Sequence, residues 1–185
     1  MAINHNSVVF DVTDFKVYPL VSDSGQASPT YNTGIDVPGI ASVSLSPEYV
    51  SATLKGDAKV IATKARIDSF TMSAQYGRVD LDVMKTIMGG TVTDAGSGTT
   101  ETATYGVTGG QQAPYFKVAA MIDDTELSGG AIVIVAYKCM LSAATVLDQS
   151  SESFGQPTMD ITAIQPLHTD TNMVEVIFYE TAPTL

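Results

Sequence analysis

Apolar and polar residues alternate with a period of two along much of this chain. The pattern is plainest at Ser69-Phe70-Thr71-Met72-Ser73-Ala74-Gln75-Tyr76. Phe70, Met72, Ala74 and Tyr76 share one side and the hydroxyl and amide residues the other, which predicts a half-buried strand. Shorter strands are predicted over 8–21, 41–45, 49–54 and 59–63, between Gly, Pro and Ser punctuation, and the alternation returns over 159–163 and 173–179. Two segments lack it. Residues 115–122 are apolar on both sides except at Lys117, and 131–141 except at Lys138. Such strands are buried on both faces, inside the domain or against a neighbouring subunit.

One helix is predicted, Leu81–Met88, with Asp80 as N-cap and Asp82 complementing the dipole in the first turn. Leu81, Met84, Ile87 and Met88 recur at helical spacing, and Gly89-Gly90 supplies a left-handed stop. A helix this short needs a sheet to pack on. Residues 22–36 are too long for a hairpin turn and predict a polar loop. Residues 93–100 form a Gly/Ser/Thr loop that 99–107 extends as a hairpin arm. The 22 Thr and 19 Val residues favour strands throughout. The fold class is all-β, a β-sandwich or half-barrel with one short flanking helix, in a single domain over 1–185.

Composition changes this picture in one respect. The net charge is −11, from 9 Lys+Arg against 20 Asp+Glu, yet only 16% of residues are charged and mean hydropathy is +0.15. The acidity argues against binding nucleic acid by phosphate neutralisation, and against docking on an anionic membrane. The low charge on an apolar β chain predicts faces and edges covered by further copies. Edge closure gives a ring, and complementary ring faces would repeat into a tube.

Candidate chemistry is sparse. A single cysteine, Cys139, excludes an internal disulfide, and its apolar run reads as core. His5 and His168 lie in polar sequence without metal-ligand spacing. Asp123-Asp124 with Glu126 lacks EF-hand spacing and reads as an acidic turn. No Gly pair has phosphate-loop context, and no nucleophile elbow or HExxH occurs. No enzyme activity, metal or cofactor is expected. The N-terminus lacks signal-peptide character and no run approaches the ~20 residues of a membrane span, so a protein made in a cytosol is expected.

The order of elements from residue 38 onward resembles the major tail tube protein of long-tailed, non-contractile bacteriophages. The resemblance rests on Gly39-Ile40-Ala41-Ser42-Val43-Ser44-Leu45, on Lys55-Gly56-Asp57 leading into Lys59-Val60-Ile61-Ala62, and on the strand ending at Tyr76. The helix with Gly89-Gly90-Thr91-Val92, then Pro114-Tyr115-Phe116, Tyr137-Lys138-Cys139 and Phe154-Gly155-Gln156-Pro157 follow in order, covering about 38–180. No trailing immunoglobulin-like domain, of the kind some members carry, is expected.

The resemblance implies hexameric rings that stack around a tape-measure protein, meet a tail terminator and baseplate or distal tail proteins, and let DNA pass without binding it. The place would be the virion tail, assembled in the bacterial cytoplasm. Inter-subunit contacts are expected at Ser22, Ser28, Tyr31 and Asp36, and at Thr93, Thr100 and Tyr105, on the length and polarity of those segments. Acidic groups facing the lumen would repel DNA; Asp68, Asp160 and Glu175, with Asp80 and Asp82, are the candidates. Two readings outside this family stay open: another self-assembling surface or fimbrial subunit, and a carbohydrate-binding β-sandwich. The first would need an export signal and the second exposed aromatics on one face.

Overall fold

The computed structural model describes residues 9–57, 59–124, 129–146 and 155–185. His5, Phe154 and residues 125–128 of the acidic turn, Glu126 among them, lie outside them. The strands are β1 (Val9–Ser22), β2 (Thr30–Tyr31), β3 (Ile35–Asp36), β4 (Ile40–Gly56), β5 (Lys59–Tyr76), β6 (Thr91–Ala95) and β7 (Thr102–Gly106). After these come β8 (Phe116–Asp124), β9 (Ala131–Thr145), β10 (Thr158–Ala163) and β11 (Val174–Tyr179); α1 (Leu81–Met88) follows β5. All pairings are antiparallel. The large sheet runs β2-β1-β8-β9-β10-β5-β4, with β3 on β1 and β11 on β9, and β6 pairs β7 in a small sheet of its own. The chain is all-β and sandwich-like, with one short helix.

Phe15 and Val17 of β1, Met72 and Tyr76 of β5, Phe116 and Val118 of β8, and Met159 and Ile161 of β10 belong to one buried cluster. Strands far apart in the order therefore share a core, so the large sheet curls around it. Val83 and Ile87 of α1 close the cluster. Burying side chains of this size stabilises by roughly 1.5–3 kcal/mol each.

β9 changes partners along its length. Residues 131–136 pair with β11 and 139–145 with β10, while β8 runs along its other side as far as Cys139. Ala131, Ile132 and Val133 are buried within the chain itself. No neighbouring subunit is needed to explain this apolar run.

Four expectations need correction. The short strands 41–45 and 49–54 are one strand of 17 residues, and 59–63 and 69–76 one of 18, so together they form a long hairpin. The 22–36 segment is not a loop free of structure: β2 and β3 both dock on the edge of β1. The buried face of α1 is Val83, Met84, Thr86 and Ile87; Met88 packs half-buried against the core cluster, whereas Leu81 is half-exposed outside it, as the helix lies against β1, β3, β6 and β9. Gly89 has φ 80° with an extended ψ of −160°, so it ends the helix at positive φ but not in the left-handed helical region; its N–H still donates to Lys85 O.

Candidate assembly surface

Register, more than composition, defines what the sheet presents. Across β4, β5, β10 and β9, the rows Val43–Ala74–Met159–Ala144 and Leu45–Met72–Ile161–Leu141 have their middle members, Ala74, Met72, Met159 and Ile161, in the core. The intervening rows are Ser42–Gln75–Thr158–Thr145, Ser44–Ser73–Asp160–Ala143 and Ser46–Thr71–Thr162–Met140. Alternation sends these to the opposite face. That face is lined by hydroxyls, and Asp160 is the one carboxylate in these three rows. Ser73 Oγ donates to Asp160, and Ser142 Oγ donates to the Asp160 carbonyl at 2.9 Å across a β9 bulge.

β4 and β5 then leave the body together. A bulge separates the Glu48–Ser69 pair from Tyr49–Ile67, and past it the hairpin 49–67 is exposed on both faces over 49–55 and 59–67. Bulges bend and twist strands, which is how this ribbon is aimed away from the sheet. Tyr49, Val50, Leu54, Val60, Ile61 and Ile67 stand 46–66% exposed, six of the eleven large apolar residues exposed among the described residues. Its edges are equally open. β4 ends the strand order, and β10 covers β5 only from Phe70 to Gln75. Asp57 at the tip has φ 49°, the one positive φ outside glycine among the described residues. An isolated two-stranded ribbon is marginal in water and needs something to cover a face. Val50, Ala52, Lys64, Ala65 and Arg66 line a groove of about 300 Å³ on it.

The residues expected at contacts divide. Ser22, Ser28, Asp36, Thr93 and Thr100 are exposed. Tyr31 and Tyr105 are half-buried and tied to the body by their hydroxyls: Tyr31 Oη donates to Tyr137 O at 2.6 Å, and Tyr105 Oη donates to Gly89 O at 2.7 Å. Each anchors its segment to the body, an outcome that polarity of the surrounding sequence concealed. Tyr31 also lies under Lys117, whose Nζ is 5.0 Å from its ring centre and 3.9 Å from that of Tyr18. Burial holds the Lys117 ammonium below its ordinary pKa.

Of the acidic candidates, Asp160 lies on the hydroxyl face and Asp68 at the root of the hairpin, 3.9 Å from Arg66. Glu175 lies apart on β11, where Tyr137 Oη and Asn172 Nδ2 donate to it at 2.7 and 2.8 Å and hold its pKa down. Asp80 caps α1, and Asp82 donates its backbone N–H to that cap. Asp36 has a raised pKa because of partial burial and then the neighbouring Asp14 carboxyl. The sequence shows the projecting hairpin only as two short strand-like runs, 49–54 and 59–63, on either side of Lys55-Gly56-Asp57.

Among the described residues no group of His, Cys, Asp and Glu is arranged to hold a metal ion, and no helix is long and apolar enough to cross a membrane. The sequence matches no protein-family model, and a search of curated proteins returns no match.

Proposed function

We propose that this chain is a self-assembling structural subunit that builds a tube, of the kind formed by phage tail tube proteins. The observation that carries the reading is the hairpin 49–67, uncovered on both faces and both edges and continuous with a sheet whose other side is the core. A ribbon with six exposed large apolar residues gains stability only when another surface covers it. In the proposed ring, the open edge of β4 in one copy meets a strand of the next, and the four-stranded hydroxyl faces together line a channel. Hexameric rings stack around a tape-measure protein, and the finished tail conducts DNA. Hydroxyl groups, with Asp160 in the three rows and Glu48 at their end, offer duplex DNA no counter-charge to bind.

Electron microscopy of the purified protein tests this. Hollow tubes or six-fold rings are expected. A variant in which a two-residue Asn-Gly turn replaces 49–67 should keep its circular dichroism and stay monomeric. A wild-type protein that stays monomeric at high concentration overturns the reading.

A further inference from the structure

The hairpin carries the wrong charge for the molecule it belongs to. Residues 49–67 hold Lys55, Lys59, Lys64 and Arg66 against Asp57 alone, a net +3. The remaining residues hold five cations and 19 carboxylates, a net −14, and the two parts sum to the chain's −11. The body's few cations are largely occupied at home. Lys16 lies 3.4 Å from Asp14, Lys138 lies 2.7 Å from Asp23, and Lys117 sits between two tyrosine rings. On the hairpin the one ion pair among the described residues is Arg66–Asp68 at 3.9 Å, between side chains 76% and 53% exposed, a pairing worth little in water.

Lys64 and Arg66 face the same way as Val50, Ala52 and Leu54, because Val50 is opposite Arg66, Ala52 opposite Lys64 and Leu54 opposite Ala62. This face is therefore apolar along one strand and cationic along the other. Two such hairpins repel each other, so a symmetric contact of hairpin on hairpin is disfavoured. The acidic body of a second copy attracts it. We infer that the hairpin of one copy docks through its Val50–Leu54 and Lys64–Arg66 face on the acidic body of another copy, in a head-to-tail contact. Such a contact uses two different surfaces of each subunit, so it leaves one of each open and propagates. This rests on the self-assembly reading and adds to it the partner surface, the polarity and a dependence on salt.

The test uses wild-type protein and the double variant Lys64→Glu/Arg66→Glu, which turns the hairpin from +3 to −1. Both positions are exposed, and Lys64→Gln/Arg66→Gln serves as the neutral control should the reversed pair fold poorly. Sedimentation and electron microscopy follow assembly from about 0.05 M to about 1 M salt, where the screening length falls to about 3 Å. The wild type should need roughly tenfold more protein to assemble at high salt, and the reversed variant should not assemble alone. A mixture separates the two geometries. In a head-to-tail contact the reversed variant still accepts a wild-type hairpin but cannot extend, so a small fraction of it shortens wild-type assemblies. In a hairpin-on-hairpin contact the opposite charges attract, and mixing enhances association; that result overturns the proposal. Wild-type tubes indifferent to salt and to Lys64→Glu/Arg66→Glu also overturn it while leaving the self-assembly reading standing. Wild-type protein that never assembles removes both. Wild-type hairpins that bind duplex DNA or anionic phospholipid vesicles in preference to another copy assign the face to that partner and overturn the docking proposal.

Discussion

Lys138 Nζ lies 2.7 Å from Asp23 Oδ2, with the two side chains only 11% and 4% exposed. The ring of Tyr115 covers the ammonium at 4.9 Å, and the Leu167 N–H donates to the same carboxylate. One contact thus fastens the start of the 22–36 segment, β9 and the segment before β11 to each other. Breaking a buried pair by removing one partner strands the other charge, a loss of about 3–5 kcal/mol. Asp23→Ala should therefore be severely destabilised in urea unfolding. Asp23→Leu/Lys138→Met should recover much of that loss, since replacing both charges by apolar groups is often neutral. Equal damage in the single and double variants would show that the charges are uncoupled.

The same carboxylate sets an acid limit. Burial alone would raise the Asp23 pKa, but the Lys138 ammonium and the amides of Leu167 and His168 outweigh it, and the value lies below the ordinary 3.8. A carboxyl with a depressed folded-state pKa adds stability above 3.8 and loses it as pH falls through the folded value. Unfolding free energy should be flat near neutral pH and drop below about pH 4, and the drop should be smaller in Asp23→Leu/Lys138→Met. An identical acid profile in both proteins counts against Asp23 as its source.

The two lysines also explain what was legible in the sequence. Lys117 and Lys138 interrupted otherwise apolar runs, and period alone could not say why. Their partners, Tyr18, Tyr31, Tyr115 and Asp23, lie up to 115 positions away, and only the fold brings them together. The helix was readable because its cap, Asp80, and its stop, Gly89, are local. The length of β4 was not, since Pro47 resembles a break. It is tolerated because β4 ends the sheet order, where a missing N–H costs no ladder bond. Alternation marked which residues of β5 share a face, but a face that nothing covers looks the same in sequence as one on a core. The hydroxyl face was half-visible as the polar side of 69–76; pairing with Ser44 and Asp160 was not.

Asp80 Oδ1 accepts from the N–H groups of Asp82 at 2.8 Å and Val83 at 3.2 Å. Its charge also adds to the crowding that raises Asp36. Asp80→Ala should cost about 1 kcal/mol through loss of the cap. Asp80→Asn keeps the cap and relieves the crowding, so it should match or exceed the wild type near pH 7. Thermal or urea unfolding of the two variants checks this, and an Asn variant as weak as the Ala variant would contradict it.

Cys139 is fully buried in the core cluster, and burial pushes its thiol pKa up. The thiolate is the reactive form, so both access and ionisation protect it. Native protein should resist a thiol-selective chromogenic reagent over hours and react with one equivalent once denatured. Rapid reaction of folded protein would place Cys139 outside the core.

Asp160 offers the sharpest check on the proposed channel. It is the one carboxylate of the three rows on the hydroxyl face, and it sits in the middle of β10 between β5 and β9, away from the hairpin that is proposed to dock. If that face lines the tube, each ring carries a collar of these carboxylates, and Asp160→Lys turns the collar cationic. A duplex inside would then exchange condensed counterions for lysines, and retention would fall steeply with salt. Assembled wild-type tubes should release a short fluorescent duplex at low salt, whereas Asp160→Lys tubes should retain it and let it go as salt rises. Asp160→Asn, which leaves an acceptor for Ser73 Oγ, should assemble and release DNA like the wild type. Equal retention by wild-type and Asp160→Lys tubes would mean that the hydroxyl face does not meet the DNA.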